Sequence, residues 1–147
     1  MKLHRSIPLF LLAAALLALS APFEASAWRG VQKWSYDAGN SVTGSPAAVN
    51  GTIVIGDSEG RLVALDKATG ELRWTFSAGG TINGTPALLG STLFTGGADG
   101  SLFAVDGATG REVWHFTPRE KYTPGAIWSS PAAGNGRVYF NSADGKV

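Results

Sequence analysis

The chain repeats itself. Residues 34–73 and 74–113 align without a gap over 40 positions, and 15 of those positions are identical. A third copy starts at Trp114 and takes five extra residues before Ser130-Pro131. It then regains register through Asn135-Gly136 and Asp144-Gly145. A fixed period of this size means that one small unit is reused, and that each unit covers its apolar surface only by stacking on its neighbours.

Punctuation within a unit describes four short strands. After Ser45-Pro46 come residues 47–49, an Asn50-Gly51 turn and the β-branched run of residues 52–56. Asn-Gly between such residues predicts a two-residue hairpin, because both turn positions need positive φ. A second turn, Glu59-Gly60, Asp99-Gly100 or Asp144-Gly145, leads into a third strand. That strand reads Arg61-Leu62-Val63-Ala64-Leu65 in the first copy and Ser101-Leu102-Phe103-Ala104-Val105 in the second. These third strands are apolar on both faces, so both faces of the sheet must be covered. No segment after residue 27 carries a helical period long enough to cover them. Identical sheets on either side remain, which is the radial stacking of a propeller with a blade of about 40 residues. The expected fold is therefore all-β, a β-propeller of four-stranded antiparallel blades. The blades fall at 45–77 and 85–117, with part of a blade at 130–147, and residues 31–37 form the outgoing strand of a preceding blade.

The third turn carries the most specific pattern. Ala64, Asp66, Thr69, Gly70 and Trp74 recur as Ala104, Asp106, Thr109, Gly110 and Trp114. Asp accepts N–H groups of the residues after it, Thr supports the same turn, and Gly takes the positive-φ position that closes a bulged hairpin. The tryptophan, four residues on, is placed to dock against the neighbouring sheet. Burying about 150 to 250 Å² of ring at roughly 25 cal/mol/Å² stabilises by up to about 4 to 6 kcal/mol.

This spacing, A-x-D-x-x-T-G-x-x-x-W, resembles the tryptophan-docking motif of the pyrroloquinoline-quinone (PQQ) type β-propeller repeat. The Ser45-Pro46-Ala47, Thr85-Pro86-Ala87 and Ser130-Pro131-Ala132 triplets resemble that repeat as well. The resemblance covers residues 31–147. It implies either a quinone-dependent dehydrogenase of alcohols or sugars, or a non-catalytic propeller that presents loops to other proteins, as the outer-membrane protein assembly lipoprotein does. The dehydrogenases carry long insertions, and their alcohol-oxidising branch has a cysteine pair over the cofactor. This chain has even units and no cysteine, so the resemblance favours the scaffold. No cofactor is expected on that reading, and PQQ with calcium only on the dehydrogenase alternative.

Residues 1–27 read as an export signal. Lys2 and Arg5 precede an apolar run over residues 9–19, and Ala25-Ser26-Ala27 supplies a cleavage site. Pro22 stands where a lipoprotein box needs its cysteine, so no lipid anchor is expected, and nothing later resembles a membrane span. The expected location is periplasmic or extracellular. Twelve Lys and Arg against eleven Asp and Glu give a net charge of +1 without a basic cluster, which argues against nucleic acid as a partner.

No catalytic residue or metal set emerges. His115 is the one histidine after residue 27 and reads as a strand-packing residue. The acids Asp57, Glu59, Asp66, Asp99, Asp106 and Asp144 stand in turns without the spacing of a calcium loop. The longer linker of the third copy carries the one candidate binding face: Arg119, Lys121, Tyr122 and Trp128, the last in place of Thr43 and Asn83 of the other copies. Aromatic anchors with cationic neighbours suit an exported or envelope protein partner, or a small ligand; the alternative is a longer loop whose Trp128 only plugs the central funnel. Lys146-Val147 aligns with Arg61-Leu62, inside the third strand of the third unit. The chain therefore reads as a fragment of a longer propeller, in which residues 31–37 would pair with the last strands to close the ring; the alternative is a chain that closes by self-association.

Overall fold

In a computed structural model, the described residues are 31–118 and 125–147. The expected export signal lies outside them. Among the described residues, ten strands form three antiparallel sheets, all within the unit Lys33–Val147. The first sheet takes the order β1 (Ala47–Val49), β2 (Thr52–Gly56), β3 (Arg61–Asp66), β4 (Leu72–Ser77). The second repeats it with β5 (Ala87–Leu89), β6 (Thr92–Gly96), β7 (Leu102–Asp106) and β8 (Glu112–Phe116). The third pairs β9 (Ala132–Gly134) with β10 (Arg137–Tyr139).

Local chemistry sets each hairpin. Asn50 and Gly51 both take positive φ, 41° and 78°, and the third unit repeats this with Asn135 and Gly136 at 53° and 72°. The strands then continue in register from Val49 opposite Thr52 and from Gly134 opposite Arg137. Between β3 and β4 the register shifts at Ala64/Leu65, and between β7 and β8 at Ala104/Val105. This bulge sets Trp74 opposite Ala64 and Trp114 opposite Ala104. The small alanine leaves the large ring free to reach outward.

The core lies between the first two sheets. Val54, Leu62 and Ala64 of one face Leu93, Phe103 and Val105 of the other, with Trp74 and Phe76 packed on the same cluster. Phe76 and Phe103 meet edge to face, their centroids 5.6 Å apart. Leu62, Val63, Ala64 and Leu65 are all buried, as are Leu102, Phe103, Ala104 and Val105. The third strands are thus covered on both faces, by sheets and by the connecting loops. Residues 31–37, expected as the outgoing strand of a preceding blade, form no strand among the described residues. Among the described residues no helix is long and apolar enough to cross a membrane.

Candidate functional site

Each docking turn is built the same way. Asp66 Oδ1 accepts the N–H groups of Ala68 and Thr69 at 2.7 and 2.9 Å, and Asp106 Oδ1 accepts those of Ala108 and Thr109 at 3.1 and 2.8 Å. The hydroxyls of Thr69 and Thr109 accept the N–H of Glu71 and Arg111. Arg73 donates to Asp66 Oδ2 at 2.5 Å. That guanidinium, with the Thr69 and Ala68 N–H groups, pulls the Asp66 carboxyl down to about 2. The Asp106 carboxyl is also lowered, by the Thr109 hydroxyl and backbone.

Tryptophan docking runs from one unit to the next. The Trp34 indole N–H donates to the carbonyl of Lys67 at 3.0 Å, and that of Trp74 to Gly107 at 3.2 Å. A Cβ on Gly70 would stand 2.7 Å from the Trp34 ring, and one on Gly110 only 2.5 Å from the Trp74 ring. Both glycines also hold positive φ, 78° and 71°, so the position is closed to other residues twice over. Trp34 takes a docking role that its place ahead of the first full motif concealed. Trp114 has a different setting: its ring tilts against Phe94, 5.8 Å between centroids, and stays 42% exposed.

The linkers and second turns meet at the opposite end of the sheets from the docking turns. Here the backbone N–H of Ser58, Ala98 and Ala143 donates to the carbonyl of Ser41, Thr81 and Ala126 respectively. The same bond recurs in all three units, so the third keeps its geometry despite the longer linker. Ile82 and Ile127, both fully buried, press on Gly56 and Gly96, where an added Cβ would lie 2.3 and 2.0 Å from the isoleucine Cγ2. Nearby, hydroxyls join successive units. Ser45 N–H donates to Thr85 Oγ1 at 3.1 Å, Thr85 N–H to Ser130 Oγ at 2.8 Å, and Thr43 Oγ1 to Asn83 Oδ1 at 2.9 Å.

Trp128 follows Thr43 and Asn83 in this series, and it breaks the pattern. Trp128 is 60% exposed, beside a shallow cleft of about 100 Å³ between Ala126, Ser129, Asn141 and Ser142. Arg119, Lys121 and Tyr122 lie outside the described residues. Of the expected binding face, Trp128 is therefore the member whose place is described.

The acids of this face serve their own turns. Asp57 is fully buried; its Oδ1 accepts the N–H of Glu59 and Arg61, and its Oδ2 takes Arg61 Nε at 2.8 Å and the Asn40 amide at 3.5 Å. Burial pushes this carboxyl up, but the Arg61 backbone and guanidinium outweigh it and leave the pKa below the ordinary 3.8. Asp99 accepts from Ser101 N–H, and Asp144 from the Ser142 hydroxyl. Among the described residues no three His, Asp or Glu side chains converge as a metal site. His115 bonds Glu112 at 2.7 Å and stacks near Phe103, at 5.8 Å between centroids. The buried Asp57 cluster and the isoleucine–glycine contacts were not anticipated from sequence; the signal for the latter was the recurrence of both residues at equivalent places in two units.

A family model described as outer membrane protein assembly factor BamB matches residues 17–147. No curated protein sequence matches the chain. Among solved structures, BamB from Moraxella catarrhalis aligns with a TM-score of 0.64 at 28% identity, over 76% of this chain and 34% of that one. Quinohemoprotein alcohol dehydrogenase from Comamonas testosteroni aligns with a TM-score of 0.59 at 29% identity, over 67% of this chain and 17% of that one. The computationally designed Ika4 protein shares the fold, with a TM-score of 0.66 at 20% identity over 78% of this chain and 69% of that one. The chain thus spans about a third of the Moraxella protein and far less of the dehydrogenase. Its fold is that of a PQQ-like β-propeller repeat, with two four-stranded blades and two strands of a third among the described residues.

Proposed function

Since the chain belongs to the outer membrane protein assembly factor BamB family, we propose that it is an exported, non-catalytic propeller scaffold that binds another protein of the cell envelope. The observation that carries this reading is the Trp128 ring, 60% exposed on the linker face where the other units keep Thr43 and Asn83 bonded to each other. A stiff aromatic side chain next to a buried residue loses little entropy on binding and supplies a large contact area, the usual make-up of an interface anchor. Ile127 beside it provides the fixed support. On this reading Arg119, Lys121 and Tyr122 of the same linker complete the contact, and residues 1–27 direct export.

A quinone-dependent dehydrogenase is the competing reading. Holding a cation beside a quinone takes carboxylates and amides converging on one point. Among the described residues, Asp57, Asp99 and Asp144 are instead bonded within their own turns, and Asn83 is bonded to Thr43.

The test uses the whole open reading frame expressed in its own cells, with a photo-crosslinking residue at position 128. The scaffold reading expects a discrete protein adduct in the envelope fraction, lost when the probe is moved to the buried neighbour Ile127. Absence of any adduct, together with dye-linked oxidation of alcohols or sugars after addition of PQQ and calcium, would overturn it.

A further inference from the structure

Residues 83–85 stand between two equivalent stretches, 43–45 and 128–130. On one side a Cβ on Gly44 would lie 2.9 Å from the Gly84 carbonyl, and Ser45 N–H donates to Thr85 Oγ1 at 3.1 Å. On the other a Cβ on Gly84 would lie 2.5 Å from the Ser129 carbonyl, and Thr85 N–H donates to Ser130 Oγ at 2.8 Å. Thr43, Asn83 and Trp128 head these three stretches. Asn83 therefore has Thr43 on one flank and Trp128 on the other.

The two flanks treat its carboxamide differently. Thr43 Oγ1 donates to Asn83 Oδ1 at 2.9 Å. Asn83 Nδ2 carries two N–H donors, and neither has a partner among the described residues. An asparagine or a threonine at position 128 would carry the series of bonds onward, since each offers an acceptor. An indole offers one donor and no acceptor. Trp128 thus ends the series and leaves a half-buried amide donor beside an aromatic side chain.

We propose that Asn83 is a recognition residue of the linker face: its Nδ2 donates to a main-chain carbonyl in an extended segment of the partner protein, while Trp128 packs on an apolar side chain next to that carbonyl. Resting on the scaffold reading, this role of Asn83 specifies which segment Trp128 receives. The acceptor is a neutral carbonyl because the amide is uncharged. It supplies a hydrogen bond but no charge to offset the desolvation of a carboxylate. The segment is extended and unpaired because carbonyls inside a helix or between paired strands are already taken by their own ladders. An unpaired extended stretch instead presents carbonyls along its edge and side chains above and below it. Asn83 and Trp128, neighbours on one face, meet those two features together.

The test extends photo-crosslinking from position 128, in the full reading frame and its own cells, to three variants. Asn83→Asp keeps the acceptor for the Thr43 hydroxyl and replaces both donors by an oxygen. Asn83→Thr keeps one donor, and Asn83→Val has nearly the same shape without it. Adduct yield is expected to stay within about threefold of the parent in Asn83→Thr and to fall at least about tenfold in Asn83→Asp and Asn83→Val, the loss expected when a buried carbonyl goes unmet. Sequencing of the adduct by mass spectrometry is expected to place the linkage in one extended segment of one partner. Thermal melts separate lost folding from lost recognition; should Asn83→Asp fail to fold, Asn83→Thr against Asn83→Val decides. Equal yields in those two, or an undiminished yield in a folded Asn83→Asp, would overturn the role of Asn83 and leave the scaffold reading standing. A linkage mapped inside a helix would overturn the extended segment. No protein adduct in any background, the parent included, would overturn both readings and leave a small hydroxylated ligand as the acceptor.

Discussion

Glycine at the docking turn answers two demands, and they can be separated by comparison within the chain. Gly110 has a φ of 71° and a ring against its α-carbon; Gly79 has a similar φ of 74° and nothing within 4 Å of where a Cβ would stand. Gly79→Ala should therefore cost only the left-handed conformation, about 1 kcal/mol. Gly110→Ala should cost that plus the displacement of the Trp74 indole, about 3 kcal/mol or more, approaching the range seen when a large core side chain is lost. Denaturant midpoints of the two variants measure the difference, and equal losses would show that ring contact contributes nothing. The role of each glycine in its turn was legible in the sequence, since the turn type demands it. Which tryptophan stands over which glycine was not. That pairing joins residues 36 apart, Trp34 with Gly70 and Trp74 with Gly110, and no local propensity encodes a contact between sheets.

At the scale of the element, the turns after β3 and β7 are held by ionised carboxylates. Asp66 titrates at about 2 in the folded chain against an ordinary 3.8, and Asp106 is lowered too. Both groups bind protons more readily when unfolded, so their contribution to stability is complete above the ordinary carboxylate value and is lost as pH falls through the folded one. Melting temperature should fall between about pH 5 and pH 2, and more steeply in the wild type than in Asp66→Asn, which cannot ionise. Parallel profiles would remove the Arg73–Asp66 pair as a source of acid sensitivity. Strand extents in β1 and β2 followed from the Asn-Gly turn and the β-branched run, where chemistry and geometry are local. Residues 31–37 show the opposite case and form no ladder among the described residues. A strand needs a partner, and pattern alone cannot supply one.

Across the whole molecule, the units are tied together at linkers as much as at tryptophans. Ile127 and Trp128 are adjacent in sequence and opposite in consequence. Ile127 is fully buried against Gly96 and donates its N–H to the Gly97 carbonyl at 3.1 Å. Ile127→Ala should cost about 2 to 5 kcal/mol, whereas Trp128→Ala should change stability by no more than about 0.5 kcal/mol. Thermal unfolding of the two variants provides the check, and a large loss in the second would mark Trp128 as a structural plug. Sequence singled out Trp128 by its departure from the other copies but passed over Ile127, which conforms to the repeat and so drew no notice.

The bonds that join successive units run both ways. The Trp34 and Trp74 indoles, the Ser45 and Thr85 amides and the Thr43 hydroxyl donate from the earlier unit to the later, while the Ile82 and Ile127 amides and the Thr81 hydroxyl donate back. The two sides of a blade still differ: one carries the indole and the other the glycine turn that receives it, so neither is complementary to itself. Two copies meeting through like sides, as twofold symmetry requires, would set ring against ring. Contacts that reuse this packing run head to tail.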